Sequence, residues 1–575
     1  MAVDTRTAIA PVPVPAEPPP GYWEREASHF PQPLSPMIRS LQLEKQNEVL
    51  RTVFAESGVL LEGIDFREIG GWAYTRQVPL GGKDRKAPPA WLFWILVRTV
   101  PSIRRRIKTS VQNIRDDQAM AYVERWWSEW RPEQIATLAE LRAIDMAALG
   151  DGEFDAFLGQ VVDFLHQGWE RHFRLTQPFF AIVEIVFACQ DLLGWDDRQA
   201  LDLMNGLSTA STEPGRRLAA LTQMARERPA VRKLLENIDD GTAAQVAAAD
   251  REFGAAFDAY QREFGYRALR YEVTDPSLDE VPAFALGLIR DQLKRGYDPK
   301  AEEGASTKRR LEAESKARAL LATRPRADRD RFERALERAR RVYPVREDNE
   351  FYTVSAPLAL VRHGVLELGG RLAAKGVIDE REDVFFLEID EGRGAVKSGT
   401  DQRALIARRK GERAWTLANP GPASYGTPPG PPPSFDALPG DAATVAKGVV
   451  WLMERIFAAE ASQTRSASGS TLRGIAASPG TYTGPARVIM DETEFDKIQA
   501  GDVLVCPITS PVWSVLFSSV GALVTDTGGV LSHPAIISRE YGIPAVVATG
   551  SATANFKDGQ LVTVDGDMGT VAVAG

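Results

Sequence analysis

The sequence predicts an α+β multidomain protein in which a large, mostly α-helical domain is followed by a small β/α domain. Apolar residues recur at spacings of three and four over most of residues 21–413, which is the period of an amphipathic helix. After residue 470 the pattern changes to short β-rich runs separated by Gly, Asp and Pro, with one helix candidate among them. The two halves of the chain therefore follow different folding patterns.

Composition sets the limits of the interpretation. The 575 residues include 69 Lys and Arg against 78 Asp and Glu, a net charge of −9. At about 100–200 residues per domain, this length predicts three or four domains, and the acidic balance argues against a nucleic-acid binder. The two cysteines, Cys189 and Cys506, lie in apolar runs without metal-ligand spacing, so we expect buried thiols in a reducing cytoplasm, no disulfide and no metal site.

The first 20 residues are rich in Pro and Ala, and we expect a disordered tail rather than a signal peptide. No apolar run reaches the ~18–20 residues that a spanning helix needs, so no transmembrane segment is expected. The nearest candidate is 90–97, which is followed by the basic run 104–108. It could lie on an anionic membrane surface, but a buried helix end with a solvated charged continuation is the interpretation that we favour.

The helical domain contains two segments with distinct signals. The Arg- and Glu-rich stretch 308–341 predicts one long, exposed helix with i,i+4 ion pairs, or a hinge-like arm. A second helix over 358–375 follows Pro357 and should end at Gly376. Six Trp residues of this half could line an aromatic pocket, although core positions are the expected alternative: Trp91, Trp94, Trp126, Trp127, Trp130 and Trp169.

Residues 414–470 are predicted to link the two domains. Prolines crowd 419–434 and predict a semi-rigid spacer, because proline fixes φ and removes a hydrogen-bond donor. A helix over 442–461 and a polar joint over 462–470 follow. Residues 471–575 would then form the small β/α domain on a tether.

The chemistry concentrates at His533 in that small domain. A buried strand ends at Thr525, Gly528 and Gly529 form a permissive loop, and Ser532 is placed to cap a helix that starts beside His533. Backbone N–H groups and the positive end of a helix dipole favour an anion there and a neutral imidazole, the form that can attack a phosphoryl group. A surface histidine beside an incidental Gly-Gly turn would show the same spacing.

The same stretch resembles the phosphohistidine (swivelling) domain of the phosphoenolpyruvate-utilising and dikinase families, whose signature runs T-x-x-G-G-x-x-S-H-x-A-I-x-x-R-E-x-G-I-P. Residues 525–544 match every fixed position of that signature. Two upstream segments, 474–480 and 507–513, resemble the opening strand and the P-x-T-x-P-x-W loop of that domain. The resemblance implies that His533 carries the phosphoryl group. It also implies that Thr525, Gly528 and Gly529 line its pocket, that Ser532 caps the helix and orients the ring, and that Arg539 and Glu540 form a structural ion pair.

The helical half resembles the substrate-binding domain of the rifampin phosphotransferase family, in segments 30–36, 263–267, 346–352 and 381–387. The resemblance suggests Arg267, Arg346 and Asn349 as substrate contacts, and Tyr266 stands where relatives carry a histidine. Arg267 could equally pair with Glu263 or Glu272, and Arg346 and Asn349 could cap a helix.

Nothing before residue 413 reads as the ATP-grasp domain that precedes these two domains in that family. We therefore expect a phosphotransferase subunit of a split enzyme, in which a separate ATP-grasp protein binds ATP and Mg²⁺ and charges His533. The acceptor would be a hydroxyl of a small organic molecule, whose identity the sequence does not give. The alternative is a regulatory or ligand-binding protein that kept the fold without the reaction.

Overall fold

The structure, a computed structural model, describes residues 11–27, 29–82, 88–295, 299–430, 434–456, 471–509 and 511–574. It confirms the α+β fold class, with a helical unit (residues 11–456) and a C-terminal sheet unit (residues 471–574). The helices of the helical unit are α1 (Pro36–Ile38), α2 (Glu44–Ser57), α3 (Ala90–Thr99), α4 (Pro101–Arg115), α5 (Gln118–Arg125), α6 (Arg131–Arg142), α7 (Asp151–Arg174), α8 (Phe180–Leu193), α9 (Asp197–Leu201), α10 (Thr209–Arg226), α11 (Pro229–Leu234), α12 (Thr242–Ala249), α13 (Arg251–Phe264), α14 (Pro282–Arg295), α15 (Pro299–Leu321), α16 (Arg326–Glu350), α17 (Ala356–Ala374), α18 (Ile389–Ser398), α19 (Arg403–Ala418) and α20 (Gly440–Ile456).

Helices α15 and α16 replace the single long helix expected over 308–341. The chain breaks between them at residues 322–325, where Pro325 precedes α16. The i,i+4 ion pairs are present, as between Arg310 and Glu314, but α16 also buries Phe332 and Leu336 in a core shared with α8. The expectation of a wholly solvated arm is therefore wrong, because a minority of apolar residues at helical spacing suffices to anchor one face.

The helical unit contains a sheet that the sequence pattern does not reveal. Strands β1 (Trp23–Arg25), β2 (Leu61–Ile69), β3 (Trp72–Pro79) and β4 (Ser424–Tyr425) form it in the order β2-β3-β1-β4, and every pair is antiparallel. Strand β4 comes from the proline-rich segment, so residues 424–425 are held in a sheet rather than in a free spacer. Tyr74 of β3 also holds this segment by donating its hydroxyl hydrogen to Pro422 O at 2.7 Å.

The two ends of the helical unit also depart from expectation. Within the predicted tail of residues 1–20, residues 11–20 lie against the helical unit, with Val12 N donating to Gly411 O at 3.2 Å. Residues 1–10 and the joint predicted over 462–470 lie outside the described residues. The helix expected over 442–461 is present over its described part as α20, which packs Trp451 against Phe187 of α8, while residues 457–461 lie outside the described residues.

One apolar stretch, Asp151–Leu193, has the length and composition of a membrane span, and it consists of α7 and α8 joined by a short turn. In its most apolar window 67% of the residues are buried inside the protein. Such burial is the mark of a core helix, and Cys189 lies fully buried within it, as predicted. Helix α17 likewise packs into the core and is followed by Gly376 at φ +68°, which confirms the predicted left-handed terminus.

The C-terminal sheet unit is an eight-stranded sheet with helices α21 (His533–Tyr541) and α22 (Ala552–Asn555). Its strands are β5 (Thr471–Arg473), β6 (Ile475–Ser478), β7 (Thr481–Val488), β8 (Val503–Cys506), β9 (Ala522–Thr525), β10 (Ala545–Val547), β11 (Leu561–Asp565) and β12 (Thr570–Val573), in the order β5-β12-β11-β7-β8-β9-β10-β6. Strands β7 to β10 pair in parallel. Helix α21 connects the parallel neighbours β9 and β10, so its N-terminus lies at the carboxyl end of β9.

The two units are docked against each other along α21. Ser306 of α15 donates its hydroxyl hydrogen to Glu540 O at 2.7 Å, and Arg309 donates to Arg539 O at 3.0 Å. Apolar side chains of both units share their cores, among them Leu531 and Ile536 of the C-terminal unit, each 1% exposed. The sheet unit therefore rests on the helical unit through a polar and an apolar contact together.

Candidate functional site

The loop between β9 and α21 brings together the five residues predicted to hold a phosphoryl group. The chain leaves β9 at the fully buried Thr525, whose hydroxyl donates to the backbone of the loop at 2.6 Å. It turns at Gly528 with φ +113°, and a Cβ atom there would lie 2.8 Å from Ser532 Oγ. Ser532 N and Oγ both donate to Gly529 O, at 3.0 and 2.7 Å, and His533 opens α21 directly after this closed turn.

Ser532 has a different role from the predicted one. It occupies the N-cap position in an extended conformation, but its side chain makes no capping hydrogen bond. The prediction that Ser532 caps α21 is therefore wrong, because its hydroxyl hydrogen closes the glycine turn instead. Ser532 thus leaves the backbone N–H groups of the first helical turn to other acceptors, which is the condition for an anion site at a helix N-terminus.

Arg539 and Glu540 likewise bond to other groups instead of forming the expected ion pair. Arg539 is buried and donates to Ala477 O at 3.0 Å and to Val530 O at 2.9 Å. Glu540 accepts from Ser208 N of the helical unit at 3.4 Å. Both residues remain structural, one within the sheet unit and the other at its contact with the helical unit.

The imidazole of His533 faces helix α16 of the helical unit. Its Nδ1 lies 2.9 Å from Oε2 of Glu347, and the two side chains are only 11% and 8% exposed. A carboxylate at that distance accepts a hydrogen, so the ring carries its hydrogen on Nδ1 and its lone pair on Nε2. His533 Nε2 is buried and has no hydrogen-bond partner among the described residues. The nitrogen available for nucleophilic attack is therefore Nε2.

Glu347 belongs to a buried polar cluster on the helical side. Glu350 follows one turn later on α16, and its Oε1 accepts from the Tyr271 hydroxyl at 3.3 Å. Arg346 Nε lies 3.6 Å from the other oxygen of Glu347. His172 of α7 completes this side with its Nδ1 3.0 Å from Asn349 Oδ1. The carboxylate that meets the imidazole thus belongs to a cluster that also holds a second carboxylate and a guanidinium.

Burial shifts the pKa values of several of these groups. It raises the pKa of Glu350 to about 7, with Arg267 opposing that effect. It lowers the pKa of His172 to about 4, against the opposing effect of the hydrogen bond that His172 donates to Asn349, so His172 is neutral at pH 7. Burial also disfavours charge on His29, but the adjacent Glu26 outweighs it and raises the pKa of His29. A carboxyl that titrates near pH 7 is suited to accept a proton during catalysis.

The three predicted substrate contacts lie at or near this cluster, but not as capping residues. Arg346 and Asn349 lie inside α16, and Arg346 also stacks over the Phe179 ring at 5.4 Å. Arg267 is buried with its guanidinium 4.6 Å from the centre of the Phe351 ring. Of the two acidic residues weighed as partners of Arg267, Glu263 pairs with Arg217 and Glu272 accepts from Ser35.

Tyr266, which stands in place of a histidine in the resembling family, has a defined setting. Its ring stacks on His363 with centroids 4.8 Å apart, and the Arg142 guanidinium lies 3.7 Å from its other face. His363 Nε2 is 3.1 Å from Ser277 Oγ. In the described residues no group of three or more His, Cys, Asp or Glu side chains is placed to hold a metal ion.

Comparison with known proteins assigns the two sides of this contact to known domains. Residues 498–569 match the mobile domain of PEP-utilising enzymes, and residues 175–347 match the fourth domain of rifampicin phosphotransferase. The chain is therefore similar to rifampicin phosphotransferases and related PEP-utilising proteins. His533 lies within its mobile domain and Glu347 is the last residue of its matched fourth-domain region, so the contact between them joins the two.

Matches to whole proteins support this assignment. They also show what share of each relative's length the chain covers. It is 30% identical to the uncharacterized phosphotransferase YvkC of Bacillus subtilis over 71% of this chain and 48% of that protein. It is 30% identical to the rifampicin phosphotransferase of Streptomyces sviceus over 77% of this chain and 51% of that protein. Chondramide synthase cmdD of Chondromyces crocatus is 29% identical over 96% of this chain and 14% of its own length. The chain thus spans about half the length of the two phosphotransferases.

Several site residues escape sequence reasoning. Glu347 and Glu350 lie in the same segment as Arg346 and Asn349, and their i,i+3 spacing on one helix face was the available signal. His29, His172 and Tyr271 come from three distant segments of the chain. Nothing in their local sequence marks them, because only the tertiary fold brings such segments together, as where the rings of His29 and Tyr271 meet with centroids 5.1 Å apart.

Proposed function

We propose that this chain is the phosphotransfer subunit of a split enzyme, working in the cytoplasm. A separate ATP-grasp protein phosphorylates His533, and the mobile domain then carries the phosphoryl group to a hydroxyl of a small organic acceptor in the helical unit. The observation that carries the proposal is the unbonded Nε2 of His533, buried beside the carboxylate of Glu347. The family relationship supports the same chemistry.

In the first step the mobile domain leaves the helical unit and meets the ATP-grasp protein. The Nε2 lone pair attacks a phosphorus atom of ATP, a P–N bond forms, and the P–O bond to the leaving phosphate breaks with its electron pair on oxygen. ATP and Mg²⁺ belong to the partner in this proposal. On this chain, the Gly528–Gly529 turn and the N-terminus of α21 stabilise the negative oxygens.

In the second step the domain returns to the docked position seen here. The acceptor oxygen attacks phosphorus, the P–N bond breaks, and its electron pair returns to Nε2. Glu350 accepts the hydroxyl proton, since its pKa is raised to about 7 and its Oε2 has no hydrogen-bond partner in the described chain. Glu347 fixes the ring through Nδ1, and Arg346 offers a guanidinium to the phosphoryl oxygens.

The closed geometry also sets the order of events. The His533 side chain is 11% exposed in the docked position, so an acceptor cannot pass around it easily. We infer that the acceptor enters the helical unit while the mobile domain is away. The return of the domain then excludes water from the phosphohistidine, which protects it from hydrolysis.

The test is a labelling experiment on the full chain. Purified protein is incubated with an ATP-grasp protein encoded in the same genome and with ATP labelled at either the β or the γ phosphate. We expect an acid-labile, base-stable label that is lost in His533→Ala and kept in His166→Gln, a control histidine whose Nε2 bonds to Leu41 O. Label that survives His533→Ala, or no label with any ATP-grasp protein, would favour the regulatory, ligand-binding alternative.

A further inference from the structure

Helix α3 exposes an apolar stripe that the phosphotransfer chemistry does not use. Trp91 is 66% exposed, Trp94 51% and Ile95 39%, and their spacing of three to four residues places them on one face. The opposite face is buried, with Phe93 and Val97 packed in a small core beneath α20. The helix is therefore anchored on one side and presents two indole rings to solvent on the other, which corrects the expectation of a buried helix end.

Basic residues are concentrated in this helix and in the helix that follows it. The described segment 88–115 carries six basic side chains and no acidic one, in a chain whose net charge is −9. Its basic residues are Arg98, Arg104, Arg105, Arg106, Lys108 and Arg115. Arg106 is buried toward Glu62, whereas Arg98, Arg104, Arg105 and Lys108 are exposed. The local charge is thus opposite in sign to that of the chain as a whole.

Helices α3 and α4, named here the α3–α4 hairpin, follow each other closely, and one of their cations lies against an indole ring. A single residue, Val100, separates α3 from α4, so the last turn of α3 and the first turns of α4 lie at one corner. Arg98 continues the stripe of Trp91 and Trp94, and its guanidinium lies 3.8 Å from the centre of the Trp94 ring. An exposed indole ring and a positive charge are therefore in direct contact, and further exposed cations follow on α4.

We propose that the α3–α4 hairpin docks on the surface of a bilayer rich in anionic phospholipid. Indole rings prefer the headgroup region, where their apolar body and their N–H group are both satisfied, and Arg side chains are attracted to lipid phosphates. The ten residues of α3 are far fewer than the ~20 that a spanning helix needs, so the helix lies in the interface. The apolar stripe favours a bilayer over nucleic acid, because a phosphate backbone attracts cations but offers no apolar interior for the stripe.

Vesicle co-sedimentation with the full chain tests this proposal. We expect the protein to sediment with phosphatidylcholine vesicles that contain about 30% phosphatidylglycerol and to stay in solution with pure phosphatidylcholine. Raising the salt to about 0.5 M should release it, because salt screens the lipid charge. The double variant Trp91→Glu/Trp94→Glu should lower the bound fraction about tenfold or more, since it places charge on the inserted face.

Trp127→Glu is the matched control, because Trp127 is 43% exposed outside the hairpin, and it should bind vesicles like the unchanged protein. Circular dichroism and the melting temperature verify that each variant is folded. A second variant, Arg104→Glu/Arg105→Glu, should weaken binding without touching the indoles. No sedimentation with anionic vesicles would overturn the proposal. Equal binding by the Trp91/Trp94 variant, or binding of a single-stranded oligonucleotide in place of vesicles, would overturn it too.

Discussion

Glu347 and His533 lie 186 positions apart in the chain, yet Oε2 of one and Nδ1 of the other are 2.9 Å apart. The carboxylate belongs to the helical unit and the imidazole to the mobile domain. Their contact therefore exists only while the domains are docked, and it distinguishes the two halves of the proposed reaction.

Replacing Glu347 with Gln should impair only the second half-reaction. The amide still fills the space, but it no longer stabilises a positive imidazole, so phosphoryl transfer to the acceptor should slow about 10²-fold. Labelling of His533 by the ATP-grasp partner should be unchanged, because Glu347 stays behind when the domain moves. Rapid-quench kinetics measure both steps. Glu337→Gln, an exposed site on the same helix, is the control. Equal loss in both steps would contradict the domain movement.

Glu350→Gln should remove the pH dependence of transfer near neutrality. The pKa of Glu350 is raised to about 7 by burial, so the carboxylate that accepts the proton forms as the pH rises through 7. In the unchanged protein the single-turnover transfer rate should therefore increase up to about pH 7–8 and then level off. The variant should be slower and flat over that range. A retained inflection in the variant would assign the proton acceptor to another group.

Glu540 should make the stability of the docked protein sensitive to pH. Burial raises its pKa to about 7, well above the value in an unfolded chain, so its contribution to stability is complete below about pH 4.5 and is lost as the pH rises through 7. Glu540→Gln keeps the acceptor for Ser208 N and avoids the buried charge. We expect the variant to gain about 1–3 kcal/mol over the unchanged protein at pH 8 and nothing at pH 4.5.

Differential scanning calorimetry across this pH range measures that difference. Glu337→Gln again serves as control, because it removes a carboxyl from an exposed site. A constant difference between Glu540→Gln and the unchanged protein at all pH values would show that Glu540 does not titrate in this window.

Gly528→Ala should disable the carrier loop. The substitution forces a side chain onto a φ of +113° and places Cβ 2.8 Å from Ser532 Oγ, so the turn before His533 must open. We expect a loss of about 1–3 kcal/mol in stability and at least a tenfold slower labelling of His533. Gly559→Ala has a comparable φ of +78° with no atom within 4 Å, and it should cost stability alone. Normal labelling of Gly528→Ala would remove the loop from the mechanism.

The sequence predicts the C-terminal unit more completely than the helical one, for a physical reason. Strands β8 to β11 are short apolar runs bounded by Gly, Asp or Pro, so their local signal agrees with their place in the sheet. Strand β2 mixes Glu, Asp and Arg with apolar residues and is mostly half-buried, which hides its period. Strand β4 has two residues inside a proline-rich segment, and its extended structure depends on pairing with β1.

The candidate site, too, is only partly predictable from the sequence. His533 and its glycine loop form a contiguous motif, and their geometry can be anticipated because a strand, a turn and a helix follow one another in the chain. Glu347 could not be paired with His533 from sequence, since the pairing depends on how a whole domain sits on α16. Ser532 was predicted only in part. Its position at the start of α21 follows from the local sequence, but the turn at Gly529 determines which oxygen accepts its hydroxyl hydrogen.

In the proposed reaction, the apolar contact between the units limits how fast the mobile domain can leave the helical unit. Trp513 and Phe517 of the mobile domain are 2% and 1% exposed and share a core with α10 and α14. Uncovering such rings in water is unfavourable by a few kcal/mol, so a domain that simply floated free would be a rare species. In the proposed reaction the donor protein would have to offer a comparable apolar surface, and the turnover rate would depend on how the mobile domain is shared between that surface and the helical unit.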